Sequence, residues 1–172
     1  MNTSPLIWLD KIGESKLITQ LYDTIYTTPS VQYELSTFYS LSQDAKEVIS
    51  QLIIPQCVKS DLNRFNKLVK RKSRKLKFQD IADIQVLITY NLLLDNRNPD
   101  YDLSLIANEM LFANKGAETR LKPYGKIRDI AELYELAESK GIFNRNQSIE
   151  FLDRLLSLDY RKKYIQKKLN EL

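Results

Sequence analysis

The sequence predicts an α/β fold: a short parallel sheet flanked by helices, helix-dominated, with a helical extension at the C-terminus. Three observations carry that expectation. TIYTT, residues 24–28, and DLSLIAN, residues 102–108, have the β-branched or apolar character of short buried strands. The long stretches between and after them repeat apolar residues at helical spacing. From residue 146, NQSIEFLDRLLSLDYRKKYIQKKLNEL reads as one last long helix with a basic tail.

Taken in order, residues 4–21 read as a helix, with Ser4 as N-cap and Pro5 in the first turn. Gly13 divides it in two. Pro29 stops the first strand, and Ser30 caps a helix carrying Val31, Leu35, Phe38 and Tyr39. DAKEVISQLII, 44–54, is a further amphipathic helix ended by Pro55. Residues 56–77 are polar and basic, helical or looped. FQDIADIQVLITYNLLL, 78–94, is a strongly apolar helix, and DNRNPDY, 95–101, is turn chemistry. After the second strand, a helix is expected from 109 to about 120 and a turn at Gly125. IRDIAELYELAESKG, 127–141, reads as one regular amphipathic helix closed by Gly141.

Composition removes several functional classes. The 172 residues fit one domain with a substantial core. The chain has no histidine, so neither a His-dependent triad nor a His-ligated zinc is available. Its single cysteine, Cys57, forms no internal disulfide and reads as inert. The four glycines are too scattered for a phosphate-cradling loop. No apolar run is long enough to cross a membrane and no secretory leader is evident, so a cytoplasmic protein without membrane contact is expected.

Charge is concentrated in one place. KLVKRKSRKLK holds seven cations and no acid: Lys67, Lys70, Arg71, Lys72, Arg74, Lys75 and Lys77. Without those seven, 19 cations face 22 acids. The net +4 is therefore a local patch on a slightly acidic chain. Such a patch suits the phosphate backbone of RNA or DNA, and it would equally suit an acidic protein. Phe65 and Phe78 flank it, as stacking platforms or as core, with core favoured for Phe78.

Three pieces carry a resemblance. The start reads NTSPLIWLDKIGESKLITQLYDTIYTTPSVQYEL, the middle DIADIQVL, and the later part DLSLIAN followed by YGKIRDIAELYELAESKGIF. Together they resemble a PIN domain of the compact VapC-like kind found in prokaryotes. The likeness spans most of residues 1–142, with the first strand short or missing, and leaves 143–172 as a C-terminal helix packed on that domain. The resemblance implies a nuclease that uses Mg²⁺ or Mn²⁺, often as a toxin paired with a small antitoxin, and often a homodimer. Carboxylates from separate elements suit a hard divalent ion, which would polarise a phosphate and activate water.

Carried over position by position, the family's first acid falls on Asn2, a neutral residue. The second falls on Glu34 and the third on Asp83, with Asp80 one turn earlier. The acidic pair after the buried strand falls on Ala107 and Asn108, with Glu109 one residue late. The small hydroxyl of the last turn falls on Lys126, with Arg128 close by. Catalysis, if present, would rest on Glu34, Asp83, Asn2 and Glu109, with Glu34 and Asp83 as metal ligands. Asn2 is as well suited to capping a helix as to ligation. The resemblance thus implies a degenerate site: a nucleic-acid-associated protein with weak or lost endoribonuclease activity, acting as a binding subunit of a larger assembly or as a toxin-like component. The alternative is an active Mg²⁺-dependent endoribonuclease of a toxin–antitoxin pair. Lys126 would join the basic patch in facing nucleic acid.

Overall fold

The computed structural model describes residues 1–76, 81–95, 103–107 and 126–172. The expected glycine break in the first helix is present. Helix α1 (Thr3–Lys11) stops before Gly13, which has φ +76°, and α2 (Leu17–Leu21) follows. The cap is Asn2, not Ser4: its side chain accepts from the Thr3 amide, and Ser4 lies inside the helix. Thr28, rather than Ser30, caps α3 (Pro29–Thr37), leaving Pro29 at its first turn. The Ser30 amide is taken instead by Gln85 Oε1 at 3.2 Å. Val31 and Leu35 are buried as expected, but α3 ends at Thr37 and leaves Phe38 and Tyr39 exposed.

Helices α4 (Gln43–Gln51), α5 (Gln56–Lys59) and α6 (Leu62–Leu76) lead to α7 (Ile81–Asp95). Helix α7 buries residues on nearly every side, among them Asp83, Val86, Thr89 and Tyr90. It packs against α3, α5 and α6. Phe65 and Val69, one turn apart on α6, join Val58 and Ile84 in a small second core. Phe65 is therefore a core residue and not a stacking platform.

Strands are minimal. β1 (Ser104–Ile106) pairs in parallel with β2 (Lys126–Arg128), Leu105 opposite Ile127. The 24–28 run contributes one parallel bridge, Tyr26 to Ile53, instead of a full strand. Two residues connect these pieces: the Met1 nitrogen donates to Tyr26 O at 2.6 Å, and the Asn2 amide to Ile106 O at 3.3 Å. Successive donors pointing to opposite neighbours are the signature of a strand inside a sheet. Backbone pairing thus runs from Ile53 through Tyr26, Met1–Asn2 and Ile106 to Arg128.

The expected single helix over 127–141 is divided. Its start is β2, and Asp129 then caps a 3₁₀ turn (Ile130–Glu132) that opens α8 (Leu133–Ser139). A three-residue strand is too short to show a two-residue period. Gly141 follows the helix with φ +70°. The long terminal helix is also broken, into α9 (Arg145–Ser157) and α10 (Lys162–Glu171). Asp159 and Arg161 at the corner both have positive φ, 57° and 41°. Asp129 holds the corner: Tyr160 Oη donates to its carboxylate at 3.0 Å and Arg161 at 2.7 Å. Phe151, Leu155 and Ile165 carry the C-terminal segment into the main core beside Leu6, Leu9 and Leu133. Within the described residues, no helix is long and apolar enough to cross a membrane. The turn over 96–101 and the helix expected after 109 lie outside the described residues.

Candidate functional site

Four elements meet at the carboxyl end of the parallel strands, where open parallel sheets generally take ligands. They are the N-terminus of α1, the middle of α3, the first turn of α7 and the end of β1. Asn2 Nδ2 donates to Asp83 Oδ1 at 2.6 Å, both side chains buried. Asn2 Oδ1 accepts from the Thr3 amide at 2.7 Å. Thr3 Oγ1 donates to Glu34 Oε2 at 2.5 Å, and Glu34 is half-buried. Ala107, fully buried, directly follows the Ile106 carbonyl that receives the Asn2 amide.

The sequence positions Asn2, Glu34, Asp83 and Ala107, spread over residues 2–107, are therefore brought to one corner. Thr3 is the residue that sequence reasoning missed. Its hydroxyl links the Asn2–Asp83 pair to Glu34, and the signal was its place in NTSPLI, directly beside the expected ligand. Asn108 and Glu109 lie outside the described residues. Lys126 is on β2, which ends one residue before Asp129. Arg128 Nε donates to Ser104 Oγ at 3.4 Å, which ties it to the neighbouring strand.

As arranged, the donor set is wired to protein groups. Asn2 turns its nitrogen to Asp83, while its oxygen is committed to the helix cap. Glu34 accepts the Thr3 hydroxyl. Each carboxylate thus has one of its two oxygens engaged by a neutral protein donor. Among the described residues, no three acids or other ligating side chains form a metal-holding group.

The described cationic side chains of the basic stretch lie on the exposed side of α6. Phe65 and Val69 face the core, while Lys67, Lys70 and Arg71 face solvent. The backbone at Lys72, Arg74 and Lys75 continues the same helix, and Lys77 lies outside the described residues. Cys57 is half-buried, and burial pushes its thiol up, away from the reactive thiolate. No family model, no curated protein and no solved structure matches the chain.

Proposed function

We propose that this chain is a PIN-like, nucleic-acid-associated protein whose carboxylate corner has weak or lost metal-dependent endoribonuclease activity. It acts as a binding subunit or toxin-like component, not as an efficient nuclease. The observation that carries this reading is the Asn2–Asp83 hydrogen bond. A buried carboxylate must be answered by a partner. Here a neutral amide answers it, where a nuclease of this kind would use Mg²⁺ or Mn²⁺. The convergence of Asn2, Glu34, Asp83 and Ala107 supports the PIN likeness. The solvent-facing cations of α6 support a phosphate-bearing partner.

The test is calorimetric titration of Mg²⁺ and Mn²⁺ into wild type and Glu34→Ala/Asp83→Ala. The same samples are assayed for binding and cleavage of a generic single-stranded RNA. The reading expects wild type to bind RNA with little metal uptake and little cleavage. Wild type that takes up metal and cuts RNA, with a double variant that does neither, would establish the alternative, an active endoribonuclease.

A further inference from the structure

Helix α3 ends in an aromatic patch that the core does not use. The exposed aromatic side chains among the described residues, Tyr33, Phe38 and Tyr39, all fall between positions 33 and 39. Tyr33 is 61% exposed and Phe38 65%, and their rings meet edge to face with centroids 5.7 Å apart. The helix is held to the core by Val31 and Leu35 instead. Single exposed apolar residues are ordinary, whereas a cluster of large ones marks a binding surface. In an edge-to-face pair the ring that gives its edge keeps both of its faces clear of the other ring. The pair therefore presents flat apolar area to solvent.

The patch lies at the same end of the molecule as the basic face of α6. Helices α3 and α6 both pack against α7. Gln85 of α7 accepts from the Ser30 amide, and Asp83, nearer the start of α7, is linked through Asn2 and Thr3 to Glu34. Helix α3 thus advances toward the start of α7 as it runs from Ser30 to Glu34. On α6, Val69 shares the small second core with Ile84, so Lys70 and Arg71 also flank the first turns of α7. The two surfaces differ in charge. The described cations of α6 face solvent, while residues 29–41 carry one charge, the acid Glu34.

We propose, resting on the nucleic-acid reading above, that the Tyr33–Phe38 pair is a base-stacking seat for a single-stranded RNA whose phosphates lie on α6. Every base has a π-face, so stacking on a ring holds a strand without reading its sequence. An acid beside a phosphate repels it, so a strand crossing from α6 to α3 turns its bases, not its backbone, toward Tyr33 and Phe38. The cations of α6 supply the complementary half, which favours a polyanion over an apolar protein surface as the occupant.

The test is fluorescence anisotropy with two labelled strands of equal length, a generic single-stranded RNA and an abasic strand with the same phosphates. Wild type is compared with Tyr33→Leu/Phe38→Leu, which keeps apolar bulk and removes the rings. Both side chains are exposed, so Tm is expected to stay within a few degrees. The variant is expected to bind RNA about tenfold more weakly. Its salt slope of log K should equal that of wild type, because no phosphate contact is lost. The abasic strand should bind both proteins alike. Equal RNA affinity for the two proteins overturns the base seat and leaves the nucleic-acid reading standing. If the substitutions then also dissolve a dimer seen by light scattering, the patch belongs to a second copy of this chain. Weakening on RNA and the abasic strand alike, or a smaller salt slope, overturns the seat as well, since the loss is then one of phosphate contact. Wild type that binds neither strand overturns both the seat and the nucleic-acid reading.

Discussion

Asn2 Nδ2 meets Asp83 Oδ1 at 2.6 Å across 81 residues of sequence, joining the cap of the first helix to the first turn of the most buried one. The contact does two jobs at once. It satisfies a carboxylate that water scarcely reaches, and it fixes the side chain that caps α1. A neutral amide thus answers the buried carboxylate, and the proposal of a quiescent site rests on that bond.

Replacing the amide by an acid should reverse that state. Asn2→Asp sets two carboxylates in contact, and like charges at this distance cannot both stay ionised in a buried place. The variant is expected to lose roughly 2 kcal/mol of stability without metal. Millimolar Mn²⁺ should then restore it, whereas wild type shows no Mn²⁺ shift. Thermal melts with and without Mn²⁺ check this. A variant that stays destabilised at every Mn²⁺ concentration would mean the corner lacks ligand geometry even with the charge supplied.

Removing the amide altogether should cost more than losing a cap. An N-cap substitution by alanine typically costs about 1 kcal/mol. Asn2→Ala also takes the Nδ2 donor from buried Asp83, and stripping a partner from a buried charge adds about 1–3 kcal/mol. Thr28→Ala, which loses the α3 cap with no carboxylate behind it, is the control. Urea unfolding of both variants should give a clearly lower midpoint for Asn2→Ala.

Stability should climb with pH between about 5 and 8. The Met1 amine has an ordinary value of 8.0, and burial lowers it to about 5 in the folded chain. In that window the unfolded chain holds a proton that the folded chain does not, so unfolding becomes harder as pH rises, by up to about 1.4 kcal/mol per pH unit. Above 8 and below 5 this contribution is flat. With no histidine in the sequence, little else titrates there. Glu14, raised by burial, works in the opposite direction at the acidic edge. Chemical denaturation across this range should show the slope, and N-terminal acetylation should remove it.

Much of this architecture was legible in the sequence, and the illegible parts share a cause. Gly13 and Gly141 announced their turns because only glycine adopts those angles cheaply. The Lys67–Lys77 stretch announced a charged patch, and its described side chains Lys67, Lys70 and Arg71 are exposed while Phe65 and Val69 of the same helix are buried. The corner at Asp159–Arg161 contains no glycine or proline and sits inside a good helical pattern. It breaks because Tyr160 and Arg161 reach the carboxylate of Asp129, a tertiary contact that no local period records. β2 was hidden for a related reason: three residues paired with a distant strand leave no pattern of their own. At the corner, the family resemblance suggested which positions to compare, but the wiring was not readable. Nothing in NTSPLI says that the Thr3 hydroxyl is turned to Glu34, or that the Asn2 nitrogen and not its oxygen faces Asp83.

The basic face of α6 gives the cleanest separation of binding from folding. Lys67, Lys70 and Arg71 are exposed, and the helix is held from its other side by Phe65 and Val69. Reversing three exposed charges should leave Tm within a few degrees, because surface substitutions seldom exceed about 0.5 kcal/mol each. Against single-stranded RNA, each lost phosphate contact should reduce the salt slope of log K by about 0.7. Lys67→Glu/Lys70→Glu/Arg71→Glu is therefore expected to bind RNA at least tenfold more weakly at low salt, with a slope smaller by about 2. Fluorescence anisotropy from 50 to 300 mM salt measures both quantities. A variant with unchanged affinity and slope would remove α6 from the nucleic-acid interface and leave its charge for an acidic protein surface.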